Sequence, residues 1–181
     1  NVIQKMDDKQ WQAILDCHLT APFRILRAAQ PHIKRLFLEE KEKGIINFRK
    51  VVNISSTSGM NGNAGQINYA TAKAGVVGMA KTMAKEWGRY NVNVNAVGFG
   101  LIKTRLTDAD AEKEESLIDI EGNKIKVGVN SAVFQSAKTM IPLGRPGTPE
   151  EAAGAIYMFC IPESNYVTVQ ILMCHGGGFG L

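Results

Sequence analysis

Tyr69 and Lys73 stand four residues apart in Tyr69-Ala70-Thr71-Ala72-Lys73, and Ser56 precedes the tyrosine by thirteen. On a helix, side chains four apart share one face a turn from each other, so a phenol and an ammonium converge. A tyrosine ordinarily titrates near 10, and drawing it to neutrality takes roughly 4 kcal/mol of preferential stabilisation of the phenolate. One cation about 4 Å away supplies roughly 4 kcal/mol at an effective dielectric near 20, less what desolvation of the phenol removes. In such an arrangement Ser56 hydrogen-bonds a substrate oxygen, Tyr69 gives or takes its proton, and Lys73 holds the tyrosine ready to ionise. Tyrosine and lysine at this spacing also occur on ordinary solvated helix faces, so the case depends on the elements that position them.

Those elements read as alternating helices and strands. Asp7 with Gln10 resembles a capping box, and Trp11, Ile14, Leu15, Leu19, Phe23, Leu26 and Ile33 recur at helical spacing, predicting a long helix over about 8–40 that ends before Gly44. The charged run Glu39 to Lys43 reads as its solvated end. Lys50 to Ser56 is a β-branched run expected of a strand buried on both faces, followed by a Gly-rich turn. From about Gly65 to Trp87 the pattern is helical, with Gly88 placed as a C-terminal stop. Val92 to Val97 is a second strand, Thr148-Pro149-Glu150-Glu151 opens a helix through about Cys160, and Val167 to Cys174 is a third strand. Residues 101–141 are the least regular, and 105–140 within them predict a substrate flap, with an acidic stretch from Asp108 to Glu115 and a small hairpin around Glu121-Gly122-Asn123. The alternation implies right-handed crossovers and a single α/β domain over 1–181, a parallel sheet with helices on both faces. Ser56, at the carboxyl end of its strand, then lies where open α/β sheets place their ligand crevice.

Composition narrows the function class. A chain of 181 residues, 45% hydrophobic and 21% charged, has the profile of a globular domain with a real core. Its 21 basic and 17 acidic residues are scattered, so the net charge of +4 forms no stripe that would mark a nucleic-acid partner. Cys17, Cys160 and Cys174 have no paired spacing and no neighbouring histidines of zinc-site type, and they read as buried free thiols of a reducing compartment. No run approaches the roughly 18 apolar residues of a membrane span, and the opening Asn1 to Trp11 lacks the apolar core of a signal peptide. A cytoplasmic protein is expected.

The stretch from Val51 to Lys81, VVNISSTSGMNGNAGQINYATAKAGVVGMAK, closely resembles the active-site segment of the short-chain dehydrogenase/reductase family. The family's strand-end Asn-Ile-Ser-Ser matches Asn53 to Ser56, its Tyr-x-x-x-Lys matches Tyr69 and Lys73, and its next strand matches Val94 to Val97. The ending from Tyr166 to Gly177 looks like the family's last strand. The likeness is greatest to the branch of 3-oxoacyl-carrier-protein reductases and related hydroxyacyl or alcohol dehydrogenases. It implies a Rossmann-like fold and hydride transfer between NAD or NADP and a carbonyl or secondary alcohol. It further implies that Tyr69 and Lys73 also contact the cofactor ribose, that Ile102 and Thr104 hold the nicotinamide carboxamide, and that Gly100 lines the ring. A homodimer or homotetramer through the two long helices is implied by the same likeness.

Several positions depart from the family pattern. His18 stands where many members have an asparagine that holds a water in a proton relay toward the lysine; it reads either as a replacement in that role or as a helix histidine bonded to backbone. Phe99 replaces a proline beside the nicotinamide, Val169 a glycine, and His175 an aspartate. His32 and His175 are assigned to structure. The family's opening strand and Gly-rich, pyrophosphate-facing turn have no counterpart: Gly176 to Gly180 lead into no helix, and Gly59, Gly62 and Gly65 have the wrong spacing. With Asn1 rather than Met at the start, the reading is an N-terminally incomplete chain holding about three of seven strands, the first four missing. Standing alone it would leave an apolar sheet edge bare and tend to aggregate. Two functions are open: an oxidoreductase in its complete form, or a truncated inactive subunit that associates with an intact relative.

Overall fold

The computed structural model describes residues 1–104, 117–120, 123–126 and 139–178. Asp7 accepts the Gln10 N–H at 2.8 Å and opens α1 (Asp8–Leu15). The reciprocal half of the expected capping box is replaced, because the Gln10 carboxamide oxygen accepts from Asn1 at 2.8 Å. A π-helical turn over Asp16–Thr20 carries the chain into α2 (Ala21–Glu42). The expected long helix is therefore present, with one widened turn that side-chain periodicity did not reveal. Pro31 sits inside α2 on its exposed side, where the missing N–H costs least.

Strand β1 (Arg49–Ser56) leads into a short helix α3 (Thr57–Asn61), where only a turn was expected, and then into α4 (Ile67–Trp87). Ser56 caps α3 by accepting the Ser58 N–H at 3.2 Å. Gly88 does not end α4 in the expected way: its φ is −53°, the chain continues as a 3-10 turn, and Asn91 takes the left-handed conformation at φ 56°. Strand β2 (Val92–Phe99) comes next. The pair β3 (Leu117–Ile120) and β4 (Asn123–Lys126) is antiparallel, with Ile120 opposite Asn123, as the expected hairpin requires. The remainder of the flap over 105–140 lies outside the described residues, apart from its last two positions. Helix α5 (Pro149–Tyr157) opens with a complete capping box between Thr148 and Glu151 and ends earlier than expected, in turns around Cys160. Strand β5 (Ile171–Cys174) completes the sheet.

The parallel sheet runs β1-β2-β5, with Ser56 beside Phe99 and Phe99 beside Cys174. Alternate residues face opposite layers. Val51, Val94, Ala96 and Ile171 pack with Ala80, Met83, Ala84 and Trp87 of α4, while Val52, Val97 and Leu172 pack with Ala155 and Phe159. This bears out helices on both faces of a parallel sheet. Central β2 is buried along nearly its whole length. Strand β1, expected to be buried on both faces, is instead half-buried along Arg49–Val52, and Ile54 is exposed, because no strand pairs its outer edge among the described residues.

Strand β5 begins four residues later than expected. Val169 adopts φ 67°, a left-handed conformation unusual for a β-branched residue, and interrupts the ladder. Asn95, 1% exposed, bridges the interruption: its amide donates to the Val167 carbonyl at 3.0 Å and its oxygen accepts the Gln170 N–H at 2.9 Å. Thr168 Oγ1 accepts from the Val94 N–H at 3.1 Å. Side chains thus take over part of the backbone pairing along 167–170. The cysteines also differ from expectation. All three are free, but Cys17, in the π-helical turn, and Cys160, in the turns after α5, are exposed, and Cys174 is half-buried. Among the described residues no helix is long and apolar enough to cross a membrane.

Candidate active site

The carboxyl end of β1 gathers Ser56, Lys73 and their neighbours. Asn53, Ser55 and Ser56 are buried where the rest of the strand is not. Ser56 is 9% exposed, and its Oγ, as the cap of α3, is held at the strand end. Lys73, also buried, donates from Nζ to the Ile54 carbonyl at 3.1 Å, which brings α4 onto β1 two residues from Ser56. The Lys73 ammonium lies 5.5 Å from the centre of the half-buried Tyr69 ring. Burial pushes the Lys73 ammonium below its ordinary pKa, and nearby Cys17 opposes that shift. The phenol and the cation therefore share one helix face, as their spacing requires.

His18 arrives at the same place through the π-helical turn. Its ring meets Tyr69 edge to face, centres 5.2 Å apart and planes at 89°. Burial first, and the charge of Lys73 second, lower its pKa below 6.5, so the imidazole beside Tyr69 is neutral at neutral pH. A π turn inserts one residue into a helix and rotates the residues beyond it, and such turns recur at functional sites. Upstream of Tyr69, Asn68 fastens α4 to α1 by donating to the Gln10 carbonyl at 2.9 Å.

The residues expected at the nicotinamide lie just past β2. Gly100 donates its N–H to the Cys174 carbonyl at 3.0 Å, and a Cβ there would fall 2.6 Å from that of His175. Close packing on β5 is thus sufficient reason for glycine at this position. Ile102 pairs with Gly147 in an isolated parallel bridge, and half-buried Thr104 lies two residues on. His175 Nδ1 accepts the Gly177 N–H at 3.1 Å, in agreement with its structural assignment. Sequence reasoning missed Ser55, whose 2% exposed hydroxyl donates to the Lys73 carbonyl at 2.9 Å. The doubled serine at the strand end was its only signal.

The chain as a whole is similar to known proteins. A family model described as Enoyl-(Acyl carrier protein) reductase matches residues 1–178. The 3-oxoacyl-[acyl-carrier-protein] reductase FabG of Thermotoga maritima is 35% identical over 176 residues, 97% of this chain and 60% of the relative. The protein of the same description from Vibrio cholerae is 32% identical over 177 residues, 98% of this chain and 61% of the relative. The chain thus spans about 60% of the length of these curated relatives. Among solved structures, a short chain dehydrogenase from Bacillus anthracis matches with a TM-score of 0.68 at 28% identity, covering 98% of this chain and 58% of that one. A 4-hydroxyisoleucine dehydrogenase complexed with NADH shares the fold with a TM-score of 0.72 at 21% identity, covering 98% and 63%. The chain belongs to the short-chain dehydrogenase/reductase family and is similar to its 3-oxoacyl-[acyl-carrier-protein] reductases.

Proposed function

We propose that the protein of which this chain is the catalytic part transfers a hydride between NAD or NADP and a carbonyl or secondary alcohol, with a 3-oxoacyl thioester as the favoured substrate class. The observation that carries the reading is Lys73, bound through Nζ to the Ile54 carbonyl and lying 5.5 Å from the Tyr69 ring beside Ser56. A bound nicotinamide supplies or accepts the hydride. The residues present fit its ribose end: the Tyr69 hydroxyl and the Lys73 ammonium are the donors a sugar diol takes, and Ile102 and Thr104 follow β2 at the carboxyl end of the sheet, the end that carries Ser56. Gly59, Gly62 and Gly65, between β1 and α4, span the short helix α3 and the loop after it and lack the spacing of a pyrophosphate-binding turn.

In reduction, Ser56 donates to the substrate oxygen and orients it, and Tyr69 delivers the proton to that oxygen as it becomes an alkoxide. Lys73 stabilises the resulting phenolate and hands a proton back toward it. His18, neutral and edge-on to Tyr69, takes up a proton from solvent and passes it on to replace the one Lys73 gave up, taking the place of a relay amide. A second copy of the chain is the partner on the two long helices; between them α2 and α4 border an open cleft of about 450 Å³ whose walls combine Phe23, Leu26, Met79, Met83 and Trp87 with the polar Arg27, Gln30, Thr82 and Glu86. The absence of a membrane-crossing helix among the described residues is compatible with the cytoplasmic location proposed for such an enzyme.

The test is Tyr69→Phe in the protein as naturally produced, assayed with acetoacetyl-coenzyme A and NADH or NADPH. Turnover is expected to fall by about a thousandfold or more with cofactor binding retained. Turnover within about tenfold of the parent removes Tyr69 from the proton-transfer role.

A further inference from the structure

Lys73 is attached to β1 at two points rather than one. Its Nζ donates to the Ile54 carbonyl at 3.1 Å, and its own main-chain carbonyl accepts the Ser55 hydroxyl at 2.9 Å. These partners are adjacent in sequence, and Ser56 is the next residue. The ammonium bond sits at the end of a long flexible side chain and constrains the backbone of α4 little. The Ser55 bond runs from a short side chain on a strand to the helix backbone, so it sets how far α4 has slid along β1. A helix rises about 1.5 Å per residue, and a misplacement near 1 Å can cost about a hundredfold in rate.

We propose that Ser55 is a positioning residue for catalysis, a hydroxyl whose bond to the Lys73 carbonyl sets the axial position of α4 and thereby the placement of Tyr69 and Lys73 against Ser56. Three observations support it. Ser55 is 2% exposed, so water does not compete for its hydroxyl. Lys73, as the acceptor, lies one turn beyond Tyr69 on α4, so a shift of its backbone moves the phenol along with the ammonium. On the side facing α3, a Cβ at Gly59 would fall 2.7 Å from the carbonyl carbon and Cβ of Lys73, so the lysine backbone is held between Ser55 and Gly59. The titratable groups facing the pair are His18 and Cys17 of the π-helical turn, while β1 and α3 present the hydroxyls of Ser55, Ser56 and Ser58.

The inference rests on Tyr69 being the proton donor, and the test separates the two. In the protein as naturally produced, Ser55→Ala is assayed with acetoacetyl-coenzyme A and NADPH or NADH across pH, alongside Ser55→Thr and Tyr69→Phe. The alanine variant is expected to lose roughly tenfold to a hundredfold in kcat, with KM for the thioester within about twofold. The basic limb of its kcat profile should move by roughly half a pH unit or more, because the ammonium no longer holds its place beside the phenol. Ser55→Thr, which keeps the hydroxyl, should recover most of the rate. A folded Ser55→Ala protein with parental kcat and an unmoved limb overturns the inference, as does a rate that falls only in step with the folded fraction. If the alanine variant does not fold, Ser55→Cys keeps the volume and weakens the bond, and an unmoved limb there overturns the inference equally. Activity surviving in Tyr69→Phe sinks the proton-donor reading instead, whereas an inactive Tyr69→Phe with a normal Ser55→Ala sinks only the role of Ser55.

Discussion

Lys50 near the amino end of β1 and Lys73 beside its carboxyl end are both drawn away from water, and burial lowers the pKa of each. Their partners differ. Lys50 donates to Asn93 Oδ1 at 2.9 Å and to Ser164 Oγ at 3.2 Å, so it joins β1 to β2 and to the turn after α5. Lys73 donates to one main-chain carbonyl, that of Ile54, with the rings of Tyr69 and His18 alongside. The first lysine is occupied by acceptors from two other segments and serves the fold. The second keeps donor capacity beside a phenol and an imidazole. A displaced pKa therefore fails to distinguish structural from chemical lysines here, and the identity of the neighbours does distinguish them.

The sharpest way to break this contrast is to remove each cation in turn. Lys73→Met is expected to reduce kcat by about a thousandfold, while Lys50→Met leaves turnover within about twofold and lowers stability by about 1–2 kcal/mol through the unpaired Asn93 and Ser164 acceptors. Steady-state kinetics and denaturant melts check both, and equal kinetic damage from the two substitutions would erase the distinction. Next in size is Asn95→Ala on the central strand β2. It strips two hydrogen bonds from the segment before β5 and should cost roughly 2–4 kcal/mol with kcat and its pH profile unchanged, read by denaturant melts and kinetics across pH.

The smallest effect concerns His18. Its folded-state pKa lies below 6.5, so the unfolded chain binds that proton more tightly. The stability contribution is full above about 6.5 and declines as pH falls through that value toward the folded-state pKa. In thermal melts against pH, His18→Asn and the parent should share a slope above this window and differ within it, the variant being the flatter. Parallel curves throughout would place His18 outside the desolvated site.

Much of the fold and site was legible in one dimension. The Tyr69 and Lys73 spacing, the β-branched runs at Val51 and Val92, and the Thr148 to Glu151 capping signature are local patterns that side-chain order alone preserves. The features that stayed hidden depended on partners far away in the chain. The π turn at Asp16–Thr20 changes no residue type, the left-handed Val169 is flanked by the bonds of Asn95 from another strand, and the short helix after Ser56 was concealed by glycines that also suit a turn. Burial of β1 was overestimated because apolar composition records what a strand is able to bury, while actual burial depends on which neighbours are present.

The sequence by itself determined the chemistry: a phenol and an ammonium on one helix face, a serine at a strand end, and the family to which that order belongs. Tertiary structure decided which groups meet them. Only the folded chain brings His18 edge-on to Tyr69, separates Lys50 from Lys73 by their acceptors, and places the Ser55 hydroxyl on the Lys73 carbonyl eighteen residues away. The physical reason is range: helix periodicity relates residues within a few turns, whereas hydrogen bonds between a strand and a helix depend on where the two elements come to rest.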